Sequence, residues 1–421
     1  MLGKRSAAGR PRDPQLQAPF PGHATSAFGD RLAPIALAFA VLDLTGSASD
    51  LGFVLAAETA PMLLLVAIGG VWADRLPRQL VMLTSDGVRC AAQGATAALL
   101  LLHEARIWEL VVLQAVYGAA TAFFTPAMTG LIPAAAGSDR LREANALMSL
   151  SRSAVGVAGP AVGGTLVALV SPGAALAGDA ATFLVSAGSL ALLSLERPVR
   201  DSAPASMLTE LREGLTEVRS RTWLWVMIVY FGVFNILVWP PFAVLGPYIA
   251  KHSLGGPGAW AAILTGGAAG FVAGSLAAIR VGASRPLLWG ELACGVAALP
   301  ALFLGLSFPV ATIVAATFVR SLGIAWGDAL WHTTMQQHVP ERALSRVSAL
   351  DWTGTLVLNP LGFALVGPLA AAVGVRATLV GSAALTAIAT ACAVTVPSVR
   401  NLRVEPRPAP TIAEPTTEPS G

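Results

Sequence analysis

The feature that most constrains this chain is its succession of apolar runs of roughly 20 residues, the length that crosses a bilayer core about 30 Å thick. Short polar gaps separate them. Of the 421 residues, 55% are hydrophobic and 12% charged, against a charged share of roughly 25% in soluble domains. A chain so composed cannot hide its apolar surface from water. It is expected to be an all-α integral membrane protein.

Twelve spans are expected: Phe28 to Leu44, Leu51 to Val71, Val81 to Leu102, Trp108 to Leu131, Ala144 to Val170, Gly173 to Leu195, Trp223 to Ile249, Ala259 to Val281, Pro286 to Leu306, Phe308 to Trp331, Val347 to Val373 and Ala377 to Val396. Residues 1–25 carry Lys4, Arg5, Arg10 and Arg12 in a Pro-rich polar context without the apolar core of a signal peptide. They and residues 397–421, rich in Pro, Thr and Glu, are expected to be disordered cytoplasmic tails. With the N-terminus inside, inward segments hold 20 of the 27 Lys and Arg residues, and outward loops hold only Arg106, Lys251 and Arg376. Both termini are therefore expected in the cytoplasm, on a multi-pass protein of the inner (plasma) membrane. Cys90, Cys294 and Cys392 lie in apolar segments without pairing or metal-ligand spacing and read as packing residues.

The longest polar break divides the chain into units of six spans, residues 26–195 and 222–396. Within the linker, 196–221, Met207, Leu208, Leu211, Leu215 and Val218 recur at helical spacing, which fits an amphipathic helix at the membrane surface or a solvated linker helix. The halves echo each other at an offset of about 200 to 207 residues: Asp86 and Glu291, Pro133 and Pro340, "GPAVG" from Gly159 and "NPLG" from Asn359. A duplicated unit accounts for these matches.

The stretch "GGVWADRLPR", Gly69 to Arg78, places three ionisable residues within five positions after a pair of glycines. Glycines at a helix end admit a neighbouring helix. Asp74 is then positioned to cap an adjacent helix or pair with a cation, while Arg75 and Arg78 hold the loop inside. This is a conformational latch, made of Gly70, Asp74, Arg75 and Arg78, with Asp86 and Arg89 three residues apart on the next helix face. A plain positive-inside loop explains the arginines but not Asp74.

Gly70-x-x-x-Asp74-Arg75-x-x-Arg78 resembles the loop motif between helices two and three of the major facilitator superfamily. The spans, central break and repeat extend that resemblance from about Ser26 to Val396. "GDRLAPIALAFAVLDLTGSASDLG", "SDGVR", "FFTPAMTGLIP", "DRLREANALMSL", "GPAVGG" and "VPERALSRVSAL" together resemble its drug:proton antiporter-3 branch, which includes macrolide efflux pumps and enterobactin-type siderophore exporters. Gly159, Pro160, Gly163 and Gly164 are similar to the superfamily's antiporter motif. A kinking proline among small residues suits either a pivot between states or static close packing. Two positions depart from the pattern: Gln114, before Gly118, stands where many proton-coupled relatives carry Arg, and Pro77 replaces the glycine before Arg78.

Ionisable residues inside a bilayer cost roughly 2.5 to 3.5 kcal/mol each on insertion scales and face a cavity or a partner. The coupling candidates are Asp30 with Arg31 in span one, Glu58 in span two, Asp179 in span six, and Arg320 and Asp328 in span ten. Glu58, about seven residues into span two, is the sharpest candidate for proton exchange. Arg320 is permanently charged and calls for a carboxylate, from Asp328, Glu58 or Asp179. Arg152 and Asp351 occupy matching positions in spans five and eleven. Phe123, Phe124, Tyr230, Phe231, Phe234, Trp239, Phe242 and Trp326, with Asn235, are candidates to line an amphipathic pocket between the halves.

The resemblance implies a secondary transporter that exports a drug-like or siderophore-like molecule in exchange for protons, by alternating access. Its partners are the lipid bilayer, a small-molecule substrate and protons; it is expected to act as a monomer, with no nucleic acid, cofactor or metal. No G-x-x-x-x-G-K-[ST] motif is present, so the chain does not itself consume ATP. The rivals are an importer or facilitator of a small metabolite, and a transport-inactive membrane receptor or scaffold. An enzyme is not expected, because no catalytic pair stands at motif spacing.

Overall fold

The computed structural model describes residues 19–192 and 207–403, without the side chains of Asp74, of 129–149 and of a few others. Every element in these segments is helical. The N-terminal half comprises α1 (Pro19–Thr45), α2 (Ala48–Arg75), α3 (Arg78–Leu101), α4 (Ile107–Leu169) and α5 (Pro172–Ala191). The linker helix α6 (Met207–Ser220) leads into α7 (Thr222–Ile249), whose end widens into a π-turn over Ala250–Leu254. Then come α8 (Pro257–Arg280), α9 (Pro286–Gly295), α10 (Ala298–Gly305), α11 (Val310–His338), α12 (Glu341–Leu356), α13 (Asn359–Val373), α14 (Val375–Thr395) and the single turn α15 (Pro397–Arg400).

Local chemistry explains where several helices begin. Ser47 and Ser171 cap α2 and α5, their hydroxyls accepting from the amides of Asp50 at 3.2 Å and Ala174 at 3.1 Å, the bond an orphan first-turn N–H requires. Pro172, Pro257 and Pro286 open their helices, where the missing N–H costs nothing.

Among the described residues, ten stretches are long and apolar enough to cross a membrane. Two lie at opposite ends of α4, Ile107–Met128 and Leu150–Leu169, and the chain doubles back between them. Tyr117 bonds Asp30, while a Cβ on Gly159 would fall 2.5 Å from the Cβ of Arg31. A straight helix at 1.5 Å per residue would hold those two positions roughly 60 Å apart. Helices α1 and α3 fall short of the ten because polar residues dilute them: Asp30, Arg31 and Asp43 in one, Asp86, Arg89 and Gln93 in the other. Many apolar side chains face outward, Leu169 at 80% and Ile279 at 79% exposure among them. In water such a surface would associate; in hydrocarbon it is solvated.

Several boundaries differ from expectation. Helix α1 starts at Pro19, inside the segment read as a tail, because its first turns pack on α5: Gly22 lies against Ser189 and Gly29 against Asp179. Past the last long helix, the turn Pro397–Arg400 buries Val399. Spans nine and eleven each divide in two, at 296–297 and at 357–358, the latter just before Asn359-Pro360, where proline withholds a donor. The linker helix packs on the C-terminal half: Gly214 sits against Arg346 and Leu350, and Glu213 pairs with Arg346 at 2.5 Å. Met207, Leu208 and Leu211 lie outside the residues whose side chains are described.

The two halves are pressed together at one end. A Cβ on Gly52 would lie 2.3 Å from the Phe363 carbonyl, and one on Gly367 would lie 2.3 Å from the Ser49 Cα, so α2 and α13 touch backbone to backbone. Gly164 lies equally close to Ala261, joining α4 to α8. At the same end Lys251 reaches across to Asp43 at 2.7 Å and donates to the Leu42 carbonyl at 2.6 Å.

Candidate functional site

Immediately inside this closed end, a cavity of about 320 Å³ lies between the halves. Helices α1 and α2 contribute Pro34, Ala38, Leu55, Glu58, Thr59 and Met62, and the opposite wall is made by Trp239, Phe242, Trp260, Asn359 and Phe363. Glu58 is the one carboxylate in a lining that is otherwise mostly apolar. The backbone around Glu58 is held by α4: a Cβ on Gly118 would fall 1.8 Å from the Glu58 carbonyl, so only glycine fits there. Of the expected aromatics, Trp239 and Phe242 line this cavity. Tyr230 and Phe124 are buried in packing, Phe234 and Asn235 line a separate cavity beside Arg320, and the Trp326 indole N–H donates to the Val281 carbonyl at 2.9 Å.

Behind the cavity wall the N-terminal half holds a second feature, a buried polar network. Arg89 on α3 is 1% exposed; it pairs with Asp86 and lies 3.7 Å from Asp30. Its guanidinium is sandwiched by aromatic faces, 4.1 Å from the centroid of Phe124 and 4.4 Å from that of Phe183, an arrangement favourable to a desolvated cation. The Ser186 hydroxyl donates to Asp86 at 2.7 Å and the Tyr117 hydroxyl to Asp30 at 2.8 Å. Asp179 accepts from Gln93 at 2.8 Å, and Gln93 accepts from Gln114 at 3.0 Å. The network thus spans four helices, with Asp30 and Asp86 beside the arginine and Asp179 joined through Gln93. Buried charges persist when paired and hydrogen-bonded in this way. Asp30 is the solvent-accessible member, its side chain 38% exposed.

Sequence reasoning puts Asp30 and Asp179 among the coupling residues and Asp86 with Arg89 in the latch; the structure brings all four into one neighbourhood. It does not single out Gln93, Tyr117 or Ser186. The signal that finds them is a hydrogen-bonding side chain within an apolar run. Gln114, notable in the sequence only as the place of a missing arginine, is a working member of the network.

The glycine-rich segment of α4 touches both halves. Gly159 and Gly163 face α1, the latter's Cβ position 3.1 Å from the Leu32 Cα, while Gly164 faces α8 across the interface and Pro160 is buried. At the latch, Gly69 and not Gly70 receives the neighbouring helix, its Cβ position 2.4 Å from the Ala122 carbonyl; Gly70 faces open space. Arg75 closes α2 at an exposed position, and Arg78 opens α3. The Asp74 side chain lies outside the described residues.

Arg320 departs from expectation. It is 7% exposed, yet among the described residues no carboxylate lies within ion-pair distance. The three acids expected as its partners are engaged elsewhere: Glu58 lines the cavity, Asp179 bonds Gln93, and Asp328 is 57% exposed beside His332, at 3.5 Å. Arg320 instead lies 4.4 Å from the Phe242 ring centroid and 6.0 Å from that of Trp239. Asp351 accepts from the Trp331 indole at 3.0 Å, and Arg152 is exposed.

A lipid-facing exterior, two halves closed against each other at one end and an interior cavity carrying an acid define a helical membrane transporter. The chain belongs to the Major Facilitator Superfamily, whose family model matches residues 20–362, and it is accordingly a transporter and not an enzyme. It is 26% identical over 399 residues to the multidrug efflux pump Tap of Mycobacterium tuberculosis, covering 91% of this chain and 93% of that protein. Over 243 residues it is 23% identical to macrolide efflux protein A of Streptococcus pyogenes, covering 56% and 58% of the two chains. Among solved structures, the nucleoside transporter NupG superposes with a TM-score of 0.71 at 11% identity, over 91% of this chain and 99% of that one. A bacterial homologue of the lysosomal transporter Spinster, inward-facing and unoccupied, gives the same score of 0.71 at 16% identity, over 93% and 98%. At these identities the structural likeness speaks to fold alone.

Proposed function

We propose that this protein is a proton-coupled exporter of drug-like or siderophore-like small molecules. It crosses the inner (plasma) membrane twelve times as a monomer with both termini in the cytoplasm, α1 and α3 completing the set. With that topology the closed end faces outward, and the cavity belongs to an inward-facing state ready to take cargo from the cytoplasm or the inner leaflet. The efflux pumps to which the chain is similar along most of its length support export over import.

The single observation that carries the reading is Glu58, a carboxylate set in an apolar cavity at the interface of the halves. An acid so placed meets cargo and proton at one spot, and binding of one opposes binding of the other. Asp30, the accessible acid of the Arg89 network, provides a second protonation point, relayed through Tyr117 and Arg89 toward Asp86 and Asp179. In the alternating cycle Gly159, Pro160, Gly163 and Gly164 form the pivot, since they contact α1 and α8 together. Gly70, Asp74, Arg75 and Arg78 latch the cytoplasmic end when it closes.

The test is accumulation of ethidium and of a macrolide in cells expressing the protein, with and without a protonophore. Lower accumulation that returns to control when the gradient is collapsed is expected. Accumulation unchanged by expression across a broad panel of compounds contradicts export.

A further inference from the structure

We propose that Arg320 is the anion subsite of the cargo-binding region, and that it receives a planar carboxylate carried by the transported molecule. Three observations converge. First, Arg320 is buried without an acid among the described residues, and its Nε and Nη1 have no hydrogen-bond partner. Buried guanidinium groups are ordinarily matched by a carboxylate or phosphate, because the fork of N–H donors loses its water on burial. Second, Arg320 lines its own cavity of about 250 Å³, with Asn235 and Ser321 as neutral polar neighbours and Phe271 and Trp239 as walls. Third, Trp239 also lines the cavity that holds Glu58, and Phe242, beneath the guanidinium, lines it too. Trp239 is thus common to the linings of the two cavities, and the Phe242 ring touches Arg320 on one hand and the Glu58 cavity on the other.

The class of ligand follows from the donors. The guanidinium is a rigid fork of N–H donors whose spacing matches the two oxygens of a carboxylate, a match that a single spherical halide does not make. Aromatic walls favour a carboxylate attached to a ring. That the ligand is cargo rests on the exporter reading above; that Arg320 binds an anion does not.

The full-length protein in detergent micelles is titrated with sodium benzoate, with benzamide as its neutral isostere and benzylamine as its cationic one. Binding is read from tryptophan fluorescence and from the unfolding midpoint. Benzoate is expected to bind about tenfold more tightly than benzamide. Arg320→Gln is expected to erase that preference while leaving benzylamine unchanged, and Arg320→Lys, which keeps the charge and loses the fork, to retain part of it. Sodium chloride titrated in place of benzoate separates a halide site from a carboxylate site, and weaker binding of chloride is expected. Equal binding of benzoate and benzamide to the wild-type protein, a preference that survives Arg320→Gln, or binding of chloride alone would each overturn the proposal. The readout is binding and not flux, so a failure to export in cells leaves it standing, and its own failure leaves the exporter reading standing.

Discussion

The two halves each bury one arginine over aromatic rings, and they treat it in opposite ways. Arg89 in the N-terminal half is flanked by Asp86 and Asp30, whereas Arg320 in the C-terminal half has no acid beside it among the described residues. The repeat makes the contrast sharper. At offsets of 205 and 206 residues, Cys294 stands where the first half has Arg89, and Arg320 stands where it has Gln114. Glu291, the counterpart of Asp86, is buried with no cation within ion-pair distance among the described residues; it lies against Tyr230, whose hydroxyl pairs with Thr390 at 3.0 Å. At the positions matched by those offsets, the two halves carry different interior charges. The first half holds its ions for one another, and the second leaves its cation for something that arrives.

The same substitution in both halves should break this comparison most visibly. Arg89→Met strands two carboxylates, and removing one partner of a buried pair costs about 3–5 kcal/mol; the unfolding midpoint of the purified protein is expected to fall steeply, with recovery when Asp86→Asn is added. A midpoint equal to the wild-type value would mean the pairing carries no weight. Arg320→Met, by contrast, removes a buried charge that has no acidic partner among the described residues, and should stabilise the ligand-free protein by about 1–3 kcal/mol. Loss of stability there would show that Arg320 has a protein partner after all. Asp74→Asn, in reconstituted vesicles, is expected to slow turnover by about two- to fivefold, the worth of one charge at a helix end, with substrate affinity unchanged; full-speed turnover argues against a latch. Smallest is Lys251→Ala, which opens a partly exposed pair worth about 0.2–1 kcal/mol. Distances between spin labels across the closed end should shift modestly toward an open population, and an unmoved distribution would assign that closure to the Gly52 and Gly367 contacts alone.

Much of the architecture is legible in the chain. Runs of apolar residues locate most of the long helices. Within the candidate site, single positions read well and pairings do not. Asp86 and Arg89 are visible as neighbours because three residues separate them on one helix. Asp30 reaches the same guanidinium from 59 positions away in the chain, and the packing of α1 against α4 and α5 brings it there. Arg320 is expected from sequence to hold an acid, since a permanent charge in an apolar run ordinarily has one. Its neighbours are rings, and periodicity carries no information about which face of α11 turns toward Phe242. The start of α1 escapes sequence reading for a related reason: its first turns are too polar to read as membrane helix, and they pack on α5, where Gly22 meets Ser189.

The central claim is that a proton and a cargo molecule compete across this interior, with Glu58 as the acid that links them. The most direct measurement is proton flux into dye-loaded proteoliposomes when a substrate gradient is imposed, for the wild-type protein and Glu58→Gln, with substrate exchange recorded in the same preparations. The account predicts substrate-driven proton counterflow in the wild-type protein, and in the variant none, with exchange preserved. Proton counterflow of undiminished size in Glu58→Gln would contradict it.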